Sequence, residues 1–426
     1  MLYYLFEWFK QHSIKVPGSA LFQFITFRVL LAVVFSLIVS MIFGKRLIRF
    51  LVKKQIGEAV RDLGLAGEQQ KKGTPTMGGF IIILAILIPT FLLADLHKAY
   101  IRLMIFSTLW LGLIGFIDDY LKIRAKRIAK EQGIAYKKGD KDGLAGWFKV
   151  LGQVVLGLVV GATLYFNSNT MVYREYVGQT APTDTVGWKT ITLGKEKKLF
   201  APAKEPITTI PFVKNHEFNY SKLLPPAMRG FTWILYIIIV IFIITAVSNG
   251  ANLTDGLDGL ATGTSAVIGA CLGIFAYASG NIRFAEYLNV MYIPNLGELS
   301  IFIGALVGAC VGFLWYNAYP AQVFMGDTGS LTLGGIIAAL AIIVRKEWLI
   351  PIFCGVFLVE VLSVTIQVTY FRYTKKKYGE GKRVFLMSPL HHHYQKLGYH
   401  ESKIVTRFWI VTILCVAFAI ATLKIR

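Results

Sequence analysis

The chain has 426 residues, 55% of them hydrophobic, and a formal net charge of +21, with a mean hydropathy of +0.57. This excludes a soluble domain folded around a single core. Nucleic acid is not the partner that the positive charge implies, because no soluble basic segment with interleaved aromatics stands apart from the apolar runs.

Runs of about 17 to 23 residues, enough to cross the hydrocarbon core, fall at about 21–43, 77–95, 101–117, 147–166, 229–249, 262–278, 299–317, 331–344, 349–371 and 404–423. They predict an all-α integral membrane protein of ten transmembrane helices, forming one polytopic domain over residues 1–426. The eighth run is the shortest. The first is longer than a signal-peptide core and is followed by Lys45 and Arg46 rather than led by bases, so it is expected to stay as an anchor. Past it, Leu47, Ile48, Leu51, Val60 and Leu63 alternate with bases as in a helix lying at the membrane interface.

Basic residues crowd the odd-numbered connections, for example Lys45, Arg46, Arg49, Lys53 and Lys54 in the first. Lys122, Arg124, Lys126 and Arg127 lie in the third, and Arg372, Lys375, Lys376 and Lys377 in the ninth. The positive-inside rule places these loops in the cytoplasm and, with ten spans, both termini outside. There each base adds roughly 1 kcal/mol of attraction to anionic headgroups. The one composition shift is the outer connection at 167–228, an extended insert in which Trp188–Leu193 and Lys198–Phe200 read as a hairpin. Cys271, Cys310, Cys354 and Cys415 all lie in apolar runs, as core residues and not as a disulfide framework.

Every second run ends in polar chemistry. The first precedes Lys71-Lys72-Gly73-Thr74-Pro75-Thr76-Met77-Gly78-Gly79, whose ammoniums, hydroxyls and glycines suit phosphate but lack the spacing of a Walker loop. The third ends at Asp118-Asp119 with no polar spacer. Charge at mid-bilayer costs about 2.5–3.5 kcal/mol even on the gentlest scale, and two adjacent carboxylates repel, which a divalent cation relieves. The plainer alternative is a solvated helix end paired with Lys122.

The fifth run ends at Asn252-Leu253-Thr254-Asp255-Gly256-Leu257-Asp258-Gly259. On a helix its carboxylates share a face; in a loop its glycines let the backbone approach a ligand, and either geometry suits a phosphate or nucleotide held through Mg²⁺. A simple turn is the alternative. The seventh ends at Asn317 and leads to Asp327, a lone carboxylate that either serves the site or caps the next helix, with Phe324 offered to a base or to the interface. The ninth precedes His391-His392-His393, which cannot all share one helical face. That disfavours a zinc cluster and favours hydrogen bonds to a phosphate or the orienting of a carboxylate. By parity all five ends lie on one face, as a membrane-embedded active site requires.

Together Gly-Thr-Pro-Thr-Met-Gly-Gly, Asp-Asp-Tyr-Leu-Lys, Asn-Leu-Thr-Asp-Gly-Leu-Asp-Gly, Phe-Met-Gly-Asp and Pro-Leu-His-His-His resemble the polyprenyl-phosphate N-acetylhexosamine-1-phosphate transferase superfamily, in its lipid I-forming branch. The likeness runs from about Gly44 to the last run and omits the outer insert. It implies a multi-pass protein of the bacterial inner membrane with periplasmic termini and a cytoplasmic-face active site. The implied reaction transfers phospho-MurNAc-pentapeptide from UDP-MurNAc-pentapeptide to undecaprenyl phosphate. The products are lipid I and UMP, in the first membrane step of peptidoglycan synthesis. Mg²⁺ is the implied cofactor, membrane lipids are partners, and a homodimer is implied by the resemblance alone.

Position by position, the resemblance makes Asp118, Asp119, Asp327 and His391 catalytic and gives Asp327 the metal. It places Asn252, Asp255, Gly256, Leu257 and Phe324 around uridine, and Lys71, Thr76, Lys122, Lys126, Asn317, His392 and His393 around the rest of the substrate. Asp118 is expected to deprotonate or orient the lipid phosphate, and Lys122 and Lys126 to hold anionic oxygens as point charges. Direct attack inverts the phosphorus once, whereas a covalent intermediate on Asp118 or Asp119 inverts it twice; the sequence is compatible with both. The rival within the superfamily is a transferase of phospho-GlcNAc, disfavoured by the uninterrupted histidine triplet. The rival of another class is an ion-coupled transporter, which expects its carboxylates near mid-bilayer rather than at one mouth.

Overall fold

The computed structural model describes the chain except residues 15, 54–70, 72, 132–142, 176–187, 194–195, 212–216, 289 and 424–426, and except the side chains of 126, 129–131, 174–175, 189–193 and 196–198. In chain order come α1 (Leu2–Gln11), α2 (Ile25–Lys53), α3 (Gly79–Leu93), α4 (Ala99–Glu131) and α5 (Gly146–Phe166). Strands β1 (Val172–Glu175), β2 (Lys189–Leu193), β3 (Glu196–Ala203), β4 (Ile207–Thr209) and β5 (Glu217–Asn219) follow. Next are α6 (Thr232–Thr254), α7 (Leu260–Gly280), α8 (Ile282–Leu288), α9 (Leu296–Asn317) and α10 (Gly326–Ile343). The described chain closes with α11 (Ile350–Phe353), α12 (Gly355–Tyr378), α13 (Leu390–Lys396) and α14 (Glu401–Ala421).

Among the described residues nine helices are long and apolar enough to cross a membrane: α2, α4, α5, α6, α7, α9, α10, α12 and α14. The second expected run, 77–95, forms α3, which is apolar but has only 15 residues. Its first residues are drawn into a loop, where Gly78 and Gly79 donate their N–H groups to the carbonyls of Phe324 and Met325 at 2.8 and 2.9 Å. The third run does not end at 117: α4 continues through Asp118 and Asp119 to Glu131. The ninth is divided, since α11 stops at Phe353 and α12 starts again at Gly355.

The apolar spans sort into a centre and a rim. In α9 and α10, 78% and 89% of the apolar window is buried, against 22% in α2 and α14. Lipid tails are as apolar as a protein interior, so close packing and hydrogen bonds, rather than the hydrophobic effect, hold such helices together. On α9, Gly304, Gly308 and Gly312 form a stripe at four-residue spacing against α2, and a Cβ at Gly308 would come 2.5 Å from Val33 O. Opposite them, Ser36 Oγ lies 2.7 Å from the carbonyls of both Ala85 and Ala305. Gln153 of α5 bonds Ser248 of α6 at 3.2 Å, and Ser248 Oγ donates to Leu331 O of α10 at 3.1 Å.

The insert forms an antiparallel sheet in the order β1-β3-β2 and a separate β4-β5 pair. The expected hairpin is β2 against β3, in register from Lys189 opposite Phe200 to Leu193 opposite Glu196. It is tied to the far end of α10: Thr209 N–H donates to Arg345 O at 3.1 Å, and Lys346 Nζ to Thr209 Oγ1 at 2.8 Å. Burial pushes the Lys346 ammonium down to about 8, against the pull of Glu347. Arg345 and Asp327 bracket α10, whose 18 residues span about 27 Å. The insert is thereby kept away from the polar ends of the runs.

Gly308→Leu is expected to cost about 1–3 kcal/mol of stability by overpacking and to lower the thermal unfolding midpoint in detergent. Gly146→Ala, where a Cβ meets nothing within 4 Å, should leave it unchanged. An unaltered midpoint for Gly308→Leu would rule out the close α2–α9 crossing.

Candidate active site

The site is organised around the first turn of α10. Asp119, buried on α4, accepts from Asp327 N–H at 3.2 Å, Thr328 N–H at 2.9 Å and Thr328 Oγ1 at 2.7 Å. A helix N-terminus leaves its first amides unbonded and carries partial positive charge, so a carboxylate there is a strong cap. The approach needs glycine. At Gly326, φ is +71°, and a Cβ would stand 2.6 Å from Asp119 Oδ2 and 3.0 Å from Thr76 Oγ1.

With α10 fixed in this way, Asp327 faces Asp118. The two residues share both neighbouring ammoniums. Lys122 Nζ lies 2.6 Å from Asp118 Oδ2 and 3.1 Å from Asp327 Oδ2. Lys149, the fourth residue of α5, lies 2.9 Å from Asp118 Oδ2 and also contacts Asp327 Oδ2. Asn252 at the end of α6 donates to Asp327 Oδ1 at 2.9 Å and lies 2.8 Å from Ser330 Oγ. Leu144 N–H donates to Asp118 Oδ1 at 2.7 Å. Three helix ends and the middle of α4 thus meet on a cluster in which three carboxylates oppose two ammoniums. Asp118, Asp119 and Asp327 each offer an oxygen within 4.8 Å of the others. Asp119 is occupied as a cap, which leaves Asp118 and Asp327 as oxygen donors of the kind a hard divalent cation takes.

A second polar group adjoins the first. Lys71 Nζ lies 2.8 Å from Asp258 Oδ1 and 2.7 Å from Glu401 Oε1 at the start of α14. Burial works to lower the Lys71 ammonium, and the carboxylates of Glu401 and Asp258 outweigh it, holding the group above the ordinary lysine value. Phe324 presents its ring 6.0 Å from the same ammonium. His391 is fully buried, with Nδ1 3.2 Å from Glu360 Oε2, and its Nε2 is so close to Gly256 that a Cβ there would collide with it. Burial, and then the neighbouring His391, push the His392 imidazole down to about 4, so it is neutral near pH 7. His393 Nδ1 accepts from Leu386 N–H at 3.2 Å.

Most of the residues expected from sequence meet here, in different roles. Asp118, Asp327, Lys122 and Asn252 form one cluster; Lys71, Gly256, Phe324 and His391 line the other; Thr76 joins them beside Gly326. Asp255 stands at the C-terminal end of α6, one residue before Gly256. Two of the expected residues turn inward. Asn317 is 2% exposed, and its amide is taken up by Gly259 N–H, Thr262 Oγ1 and Val323 O, so it ties two loops together. Leu257 is buried against Leu260, Ile404 and Val405, because the turn folds its apolar side chain inward. The Lys126 side chain and Lys72 lie outside the described residues. Sequence reading missed Lys149, Glu360 and Glu401. Lys149 carried a signal, being a lone base at the start of an apolar run whose start falls on the same face as the other motifs.

The fold is a helical bundle with helices of membrane-spanning length, and it gathers a carboxylate cluster bridged by two lysines. The sequence profile of glycosyl transferase family 4 matches residues 101–345, more than half of the chain, and the chain belongs to this family. Proteins named phospho-N-acetylmuramoyl-pentapeptide-transferase are similar to it over the full length of both chains. Those of Flavobacterium johnsoniae, Flavobacterium psychrophilum and Amoebophilus asiaticus are 60%, 57% and 54% identical. Within the family, the chain is a member of this pentapeptide-transferase group.

Asp119→Ala removes the acceptor of three donors around buried Thr328. It should destabilise the fold by about 1–3 kcal/mol for each donor left unpaired, seen as a lower thermal midpoint in detergent. A wild-type midpoint would refute the capping role.

Proposed function

We propose that the chain transfers phospho-MurNAc-pentapeptide from its UDP carrier to undecaprenyl phosphate, releasing UMP and forming lipid I. The observation that carries this reading is the joint clamp of Lys122 and Lys149 on Asp118 and Asp327. These ammoniums can exchange carboxylate oxygens for phosphate oxygens without moving far. Asp118 then orients the lipid phosphate for attack on the sugar-linked phosphorus, and Asn252 keeps Asp327 in place. The Gly256 loop, Phe324 and Lys71 receive the uridine end.

Two anionic substrates entering a cluster that already carries one excess negative charge call for a cation. The oxygen donors of Asp327 and Asp118 fit Mg²⁺, which binds through one or two carboxylates and substrate phosphates. Bound there, Mg²⁺ would offset charge on the diphosphate and the departing UMP. The topology that suits this chemistry counts α3 as a tenth, short span, with the site on the cytoplasmic face and both termini outside. The basic content of the odd loops supports that orientation.

The test is UMP release in detergent with undecaprenyl phosphate, comparing UDP-MurNAc-pentapeptide with UDP-GlcNAc. Only the former should react. Chelation should stop turnover, and Mg²⁺ should restore it. Asp327→Asn should lower the rate by at least about 100-fold while leaving the thermal midpoint in place; near-normal turnover would remove Asp327 from the chemistry.

A further inference from the structure

A buried stripe on α12 has no part in the function so far. Glu360, Gln367 and Thr374 are spaced seven residues apart, on one face of the helix, and are 0%, 8% and 1% exposed. Each holds the returning chain. Thr374 Oγ1 accepts from Lys382 N–H at 2.8 Å. Gln367 Oε1 accepts from Val384 and Phe385 N–H at 3.0 and 2.9 Å, and its Nε2 donates to Phe385 O at 3.2 Å. Glu360 Oε2 accepts from Leu390 N–H at 2.7 Å, and Oε1 from His391 N–H at 3.3 Å. Residues 382–391 therefore run back along α12 from Thr374 to Glu360, about 21 Å of helix.

The return ends at the imidazole of His391, with Nδ1 beside Glu360 and Nε2 turned to the exposed Gly256. Among the described residues neither ring nitrogen has a hydrogen-bond partner, although His391 is fully buried; Nδ1 has the Glu360 carboxylate 3.2 Å away, and Nε2 faces Gly256. An unpaired ring nitrogen in such a place is costly unless a ligand meets it. We propose that Glu360 is the positioning residue for His391: its carboxylate holds the backbone of the histidine and stands beside Nδ1, ready to take its proton in a hydrogen bond, so that Nε2 is presented to substrate bound at the Asn252–Gly259 loop. A carboxylate behind an imidazole is the usual way to fix which nitrogen faces the chemistry. The inference rests on the transferase reading above.

The kinetics of UMP release by the full-length chain test it. Glu360→Gln, which keeps the shape and loses the charge, should lower kcat by about 10–100-fold and leave KM for UDP-MurNAc-pentapeptide unchanged. Its distinguishing readout is coupling. The double variant Glu360→Gln/His391→Gln should be no slower than His391→Gln alone, because Glu360 acts through the ring. Losses that multiply would overturn the proposal, as would full activity in Glu360→Gln. Should that variant fail to fold, Glu360→Asp and Gln367→Leu carry the same comparison; each should be slowed, and neither should slow His391→Gln any further. An inactive parent chain would bring down the transferase reading and this inference with it, whereas an active parent with a full-speed Glu360→Gln would count against this inference alone.

Discussion

The site depends on one carboxylate that caps a helix to which it does not belong. Asp119, on α4, accepts from two amides and a hydroxyl at the start of α10. Charge-assisted bonds of this kind are short and strong, more so where water is absent. Because the capped turn carries Asp327, its placement fixes everything that meets Asp327: Lys122, Lys149 and Asn252. Glycine makes room for it. A Cβ at Gly115 would collide with the Asp327 backbone, and one at Gly79 with Gly329.

The adjacent aspartates consequently divide two tasks. Successive helical residues point about 100° apart, so Asp119 reaches α10 while Asp118 faces the ammoniums of Lys122 and Lys149. The first caps α10, and the second joins the lysine-bridged cluster. A cluster of three carboxylates would repel itself apart were one not bound to helix amides and the other two not bridged by lysines. That balance also leaves both lysines able to trade partners when phosphate arrives.

Much of this was legible in the sequence, for physical reasons. Apolar run length gave the helices, and the parity of polar run ends gave convergence, because each crossing reverses direction. Asp118, Asp327 and Asn252 declared themselves as charge or amide at the end of an apolar run. What sequence concealed was partnership. Glu360 and Glu401 lie in or beside apolar runs with nothing local to mark His391 and Lys71 as their partners. The inward turn of Asn317 and Leu257 was concealed too, since a motif does not say which of its members are buried. The length of α4 was hidden because its C-terminal part is polar, and the shortness of α3 because its apolar start is claimed by a loop.

The cap spans a long stretch of chain, since 209 positions separate Asp119 from Thr328. Ribosomes add about 5–20 residues per second, so roughly 10–40 s pass between the synthesis of the carboxylate and that of the turn it will hold. Lys71 waits longer still for Glu401, 330 positions on. During biogenesis Asp118 therefore has Lys122 of its own helix at hand, whereas Asp119 waits for the turn it will cap. The cluster thus closes in order as the transferase is made: the pair within α4 is available at once, Lys149 follows with α5, and the cap that fixes Asp327 forms only when α10 has arrived.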